Sequence, residues 1–497
     1  MNEFTCRVTT HGKQQLELQL TCPLAWHRKK VRYRISVYLF FPPQLQMTAS
    51  RYGVKSFLQD IISYTRFTTP MMSLQMLLDP ANDKSPFVRI PRYLNKAKVG
   101  GDLDEKSVEF ELKSLINIYQ RQLKDTLRQL KKLAGVEGTR KDAVHQAQST
   151  LRDMEAILAQ LRQELRPRFL EANIPDPLRQ AFEWSDESIS LSTEKFYFRL
   201  HGLCNRREGL DDLEAEVSRK LEVEAIYRAS RGFPSQVDPA SSDQNFAFLQ
   251  QESMLKKWAQ KTYYMTQEKM RSVQHLTTLL MAVAAMVAML FAVVATFLAN
   301  HYFPQNSVPF ALMLIVAYAF KDRIKETLRA VFLSFLPRLV SDRRNKLISP
   351  TGKVIGNSSL HVAFNQVHHV PEDIQRLRYM TDTVHRALIP PEDVIEFHKR
   401  IVFRGAVIKK MHSRLESVTE ILRFYLGNWL QYMDDPDEQL QYCRDGKPAT
   451  VQAERVYPVH IILKLEDPGT GSHHLYGYNM LLSRDGVVRI RQEADLS

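Results

Sequence analysis

Residues 276–299 carry no charged side chain, and their only hydroxyl-bearing residues are Thr277, Thr278 and Thr296. Rising about 1.5 Å per residue, such a helix covers roughly 35 Å, enough to cross a hydrocarbon core of about 30 Å. Core helices of globular proteins seldom stay uncharged for so long, so the stretch predicts a transmembrane helix at 276–299. A second apolar run, 308–320, follows a short turn. Extended back to Tyr302, it predicts a second span at 302–320, with Gln305 and Asn306 near the outer interface. Pro304 suits that helix's first turn, where a missing N–H costs little.

Charge sets the expected orientation. Lys256, Lys257, Lys261, Lys269 and Arg271 precede the first run, and Lys321, Arg323, Lys325, Arg329 and Arg338 follow the second. The turn at 300–304 has neither lysine nor arginine. Basic flanks stay on the cytoplasmic side, so both termini are expected there, at a cell membrane of bacterial inner-membrane type. Lipid bilayer and anionic headgroups are the partners this implies. Ala284, Ala288, Ala292, Ala295 and Ala299 recur at steps of three and four, a small-residue face for the second span or a second copy. Neither run holds an ionisable residue, which argues against a transporter.

The 497 residues leave room for two or three further domains. A net charge of +13 invites a nucleic-acid partner. The basic residues are interspersed with acidic ones, however, and no aromatic-and-basic strand resembles a recognition module, so no nucleic acid is expected. Cys6, Cys22, Cys204 and Cys443 show neither a disulfide framework nor a metal-binding spacing. They fit a reducing compartment. No basic-then-apolar leader opens the chain, so the region ahead of the hairpin is expected to remain cytosolic.

The fold class expected is α+β with a two-helix transmembrane hairpin. Residues 1–103 read as an N-terminal α+β domain: Val31, Tyr33, Ile35, Val37 and Leu39 alternate with polar neighbours, as in a half-buried strand. Residues 104–232 read as a helical, coiled-coil-like hairpin or bundle. Leu112, Leu115, Tyr119, Leu123, Leu127 and Leu130 share one helical face, and Ala147, Leu151, Met154, Leu158, Leu161 and Leu165 form a heptad seam. Residues 233–247 read as a linker, and 248–275 as a juxtamembrane helix running into the first span. Residues 321–346 read as a basic amphipathic helix, on lipid or continuing the span. Residues 347–497 form a C-terminal α+β domain. There Val418, Ile421, Leu422, Tyr425, Leu426, Trp429 and Met433 match a helix face. Arg484-Asp485-Gly486 and Arg444-Asp445-Gly446 signal hairpins of a closing antiparallel meander.

Chemistry is sparse. No phosphate-binding Gly loop, HExxH, nucleophile elbow or kinase signature occurs. His361, His368, His369, His398, His412, His460, His473 and His474 crowd the last third without a fixed ligand spacing, so a structural role is expected. Asp434 and Asp435 precede a proline at a helix exit, and solvating a turn outweighs acid–base or metal work. Arg206-Arg207 and Arg343-Arg344 are candidate phosphate grips, the latter pair for lipid. Neither catalytic residues nor a cofactor or metal site can be named. The leading expectation is a multi-pass membrane protein of structural or interaction type, with a protein partner or self-association. The alternatives are a membrane-anchored enzyme or ligand sensor with its site in the C-terminal domain, and an oligomeric channel.

Overall fold

The computed structural model describes residues 4–24, 28–98, 103–171, 174–206, 210–235, 237, 240–270, 272–304, 307–339, 342–350, 352–380, 391–411 and 414–496. The chain opens with strands β1 (Thr5–His11), β2 (Gln15–Pro23) and β3 (Lys30–Phe41). Helix α1 (Gly53–Asp60), strand β4 (Ile61–Phe67) and helices α2 (Leu74–Leu78) and α3 (Pro86–Lys98) come next. A helical block follows: α4 (Glu105–Leu133), α5 (Arg140–Ala159), α6 (Arg166–Phe169), α7 (Asp176–Cys204), α8 (Asp211–Arg231) and α9 (Ser242–Gln260). Strand β5 (Thr266–Lys269) leads into the long helices α10 (Ser272–Tyr302) and α11 (Val308–Leu339). The chain returns to sheet with β6 (Arg343–Ile348), β7 (Val354–Gln366), α12 (Glu372–Met380), β8 (Asp393–Arg404), α13 (Gly405–Met411), β9 (Ser417–Tyr425) and α14 (Gly427–Leu430). It ends with β10 (Asp437–Arg444), β11 (Lys447–Glu454), β12 (Tyr457–Asp467), β13 (Ser472–Ser483) and β14 (Gly486–Leu496).

The mixed α+β class holds, with antiparallel sheets throughout. One sheet runs β1-β2-β9-β4 and a larger one β14-β13-β12-β3-β8-β7-β6-β5; β10 and β11 form a separate ribbon. The inward faces of both sheets share a core. Leu16, Leu18 and Leu20 of β2 and Leu422 and Phe424 of β9 meet Ile35, Val37 and Leu39 of β3 and Ile395 and Phe397 of β8. Alternation of apolar and polar side chains aims one face of each strand into this space.

The N- and C-terminal regions, read above as separate domains, share these sheets. β3 pairs with β8 on one side and β12 on the other, and β2 pairs with β9. Local pattern recorded the strands, but their partners lie hundreds of residues away. The stretch read as a helix from Val418 is strand β9, followed by the short α14. β9 lies inside its sheet between β2 and β4, so apolar residues occupy both faces and mimic a helical period.

The second core belongs to the helical block. The faces expected from the sequence are buried there, Leu112 to Leu130 on α4 and Ala147 to Leu158 on α5, continuing into a π-helical turn, Gln160–Leu165. They pack with residues of α3, α7 and α8, so the seam closes a bundle rather than a two-stranded coil. Helix does not run from the bundle into α10: α9 stops at Gln260 and β5 pairs with β6 across the gap. The expected linker is also partly core, since Phe233 and Ser235 are buried; residues 236, 238 and 239 of it lie outside the described set. Glu111 of α4 joins bundle to sheets through its ion pair with Arg414, both side chains being buried.

Candidate membrane-contact hairpin and polar sites

α10 and α11 pack against each other as a helical pair. The alanine stripe makes that contact: Ala284, Ala288, Ala295 and Ala299 are buried, as is Ala317 of α11. Small side chains let the two backbones approach, while the larger ones point away. Met286, Met289, Leu290 and Phe297 of α10 and Leu312, Ile315 and Tyr318 of α11 are exposed. Only 17% of the most apolar stretch of α10 is buried, so α10 is not a core helix of this fold. Thr296 donates its hydroxyl to the Ala292 carbonyl at 2.8 Å, which satisfies the group within the helix.

Among the described residues one helix, Thr278–Tyr302, is long and apolar enough to cross a membrane. The multi-pass reading and its two-span hairpin are therefore corrected. The apolar run that opens α11 extends roughly 20 Å at about 1.5 Å per residue, short of a hydrocarbon core of about 30 Å. Beyond it the same helix carries Lys321, Asp322, Arg323, Lys325 and Glu326. With the second span goes the basis for placing both termini on one side of a bilayer. The amphipathic segment expected at 321–346 is, as far as Leu339, a continuation of α11. Gln305, Asn306 and Arg271 lie outside the described residues.

The histidines disperse, with one exception. His398 of β8 lies between Ser36 of β3 and His361 of β7 in one cross-strand row, the neighbour of Ser36 on its other side being Lys464 of β12. Its Nδ1 is 2.9 Å from the Ser36 hydroxyl and its Nε2 is 3.1 Å from Glu396. Asn365 donates to the same carboxylate at 2.9 Å, and Asp342 pairs with His361 at 3.2 Å. Burial alone would raise the Glu396 carboxyl, but the hydrogen bonds from His398 and Asn365 and the nearby imidazoles outweigh it and hold it below the ordinary glutamate value. A cavity of about 400 Å³ opens over this row, with Arg34, Arg400 and Lys464 on its walls. A hydroxyl, an imidazole and a carboxylate in series can move a proton. Ser36 is only 3% exposed, however, so its hydroxyl is poorly placed to attack a substrate.

The other candidates separate. His368 and His369 lie in a short 3-10 turn with ring centroids 4.0 Å apart, so they do not point to opposite faces as an extended pair would. Among the described residues no group of three His, Cys, Asp or Glu side chains is arranged to hold a metal. His460 is buried 3.6 Å from Glu493, His474 packs edge-on to Phe4, and His473 is exposed; His412 lies outside the described residues. Asp434 accepts from Tyr457 at 2.8 Å and pairs with Arg455 at 3.2 Å, while Asp435 pairs with Arg484. The Tyr457 hydrogen bond first, then Arg455, holds the Asp434 carboxyl below the ordinary aspartate value. The two aspartates serve separate surface pairs. Arg343 donates to the Leu58 carbonyl at 3.3 Å, and Arg207 is outside the described residues.

The sequence reading missed a buried polar network on α7. Ser185, Asp186, Glu187, Ser188, Ser190 and Thr193 are all buried in the bundle. Arg162 of the π-helical turn binds Glu224 through both terminal nitrogens, at 2.6 and 3.0 Å, and reaches Asp186 at 3.4 Å. Glu187 accepts from Ser235 at 2.6 Å and from Gln251 at 2.9 Å. The run of serines and acids from 185 to 194 was the available signal, being too polar for an ordinary core helix and too regularly helical for a loop. No protein-family model, curated protein or solved structure matches this chain. Fold and site together define a mixed α+β protein that carries, among the described residues, one apolar helix of membrane-crossing length.

Proposed function

We propose that this protein works at a lipid surface, with the turn end of the α10–α11 pair inserted in the bilayer. The observation that carries this reading is the outward-facing apolar surface of α10 and of the first half of α11. A large apolar side chain moved from water into hydrocarbon gains about 1.5–3 kcal/mol, so several exposed together exceed the cost of holding the pair in place. Helical backbone enters lipid with its own hydrogen bonds made. Lys321, Arg323 and Lys325 follow the apolar run of α11 and suit anionic headgroups at the end of the inserted part.

The competing occupant of this surface is a second copy of the chain. Flotation of the full chain on phosphatidylcholine vesicles, with and without phosphatidylserine, separates the two. The lipid reading expects the protein to rise with both vesicle types, and more completely with the anionic ones. Recovery at the bottom of the gradient, as a defined oligomer in detergent-free buffer, would overturn it.

A further inference from the structure

We propose that the cleft between α4, α7 and α9 binds an anionic amphiphile, a phosphate or carboxylate head carrying a short hydrocarbon chain. The cleft has a volume of about 290 Å³, near the lower end of the range for ligand sites. Its apolar lining is Leu123 and Leu127 of α4, Leu191 and Phe196 of α7 and Leu255 of α9. Around it stand four cations, Lys124, Lys195, Arg199 and Lys256, and one carboxylate, Glu252, which pairs with Lys195. The other three cations have no ion-pair partner among the described residues. Lys256, expected above to flank a membrane span, thus belongs to the bundle.

A second observation points into the same space. Ser188 is among the residues lining the cleft; it is only 3% exposed, and its buried hydroxyl has no hydrogen-bond partner. A buried hydroxyl left unpaired costs stability, and an oxyanion within reach would accept its proton. The state of Lys124 agrees. Partial desolvation first, then the charges of Lys256, Arg199 and Arg128, hold its ammonium below the ordinary lysine value. An anion seated among these groups would relieve their repulsion, while the leucines would take the attached chain. This inference goes beyond the lipid-surface reading and does not depend on it.

The test is calorimetry on the full chain in phosphatidylcholine nanodiscs, titrated with octyl phosphate and with inorganic phosphate, and binding to phosphatidylserine vesicles as a third arm. Octyl phosphate is expected to saturate at one per chain, at least about tenfold tighter than inorganic phosphate, because its chain leaves water. The pair Lys124→Gln with Lys256→Gln, both exposed and so tolerated by the fold, is expected to weaken it about tenfold or more. Ser188→Ala is expected to weaken it by a few-fold. Equal affinity for the two phosphates, or no change in the lysine variant, overturns the proposal. Vesicle binding alone, unaltered in that variant, assigns anion recognition to the α10–α11 pair and also overturns it. Loss of flotation with octyl phosphate binding intact would instead sink the lipid-surface reading and leave the cleft standing.

Discussion

α7 and α10 are helices of nearly equal length, 29 and 31 residues, built on opposite plans. α7 is surrounded by protein and buries serines, a threonine and acids at its middle. α10 touches α11 along alanines and turns methionine, leucine and phenylalanine outwards. Polar groups inside a fold are tolerated only when every one is paired, and apolar groups outside it only when something other than water covers them. α7 meets most of the first condition with Arg162, Arg166 and Ser235. α10 leaves the second to its surroundings. On these two helices burial is thus a poor guide to hydrophobicity, and the mismatch on each marks where a partner group has to be sought.

Making α10 and α11 polar breaks the contrast most severely. Phe297→Lys together with Ile315→Lys places two charges in the expected lipid-facing tip, at about 2.5–3.5 kcal/mol each near a bilayer centre. Flotation should fall from most of the protein to almost none, with the circular dichroism of the folded part retained. Stripping α7 of its partner comes next. Arg162→Ala leaves Glu224 buried without its bidentate cation, while Asp186 keeps Arg166, and should lower stability by roughly 3–5 kcal/mol in urea or thermal unfolding. Ala288→Leu tests the stripe between α10 and α11. Overpacking there should cost about 1–3 kcal/mol and part the helices, seen as reduced crosslinking between them.

The smallest effect extends the comparison to the sheets, where Glu396 is held ionised by His398. A carboxyl with a depressed folded value contributes stability that is full above the ordinary glutamate value of 4.5 and lost as pH falls through the lower folded one. His398→Gln should remove part of that acid-side loss, by about 1 kcal/mol or less. A pH titration of melting temperature reads it.

What was legible in the sequence was whatever a local period encodes. β3, the α4 face, the α5 seam, the alanine contact and the Arg484-Asp485-Gly486 turn all appear in the fold near where the residues put them. What was not legible depended on partners distant in the chain. β9 looked helical because Ile421 and Tyr425, on the face opposite the core residues Val418, Leu422 and Phe424, fill in a helix-like spacing. That β3 joins β8 and β12 in one sheet is invisible to any window that short. The cleft cations come from three helices, so no stretch of sequence gathers them, and Lys256 read as a membrane flank only because the β5 break went unseen. The second span failed on length: its apolar run ends at Phe320, and Lys321 follows within the same helix.

Fluorescence depth quenching tests the central claim most directly. The four native tryptophans, Trp26, Trp184, Trp258 and Trp429, lie outside α10 and α11 and provide the reference signal. In vesicles of brominated phosphatidylcholine, Phe297→Trp near the turn should add a strongly quenched component, while Leu279→Trp, toward the other end of α10, should add one quenched far less. If the indole added by Phe297→Trp emitted untouched by bromine, in protein shown to be folded, the account would be contradicted.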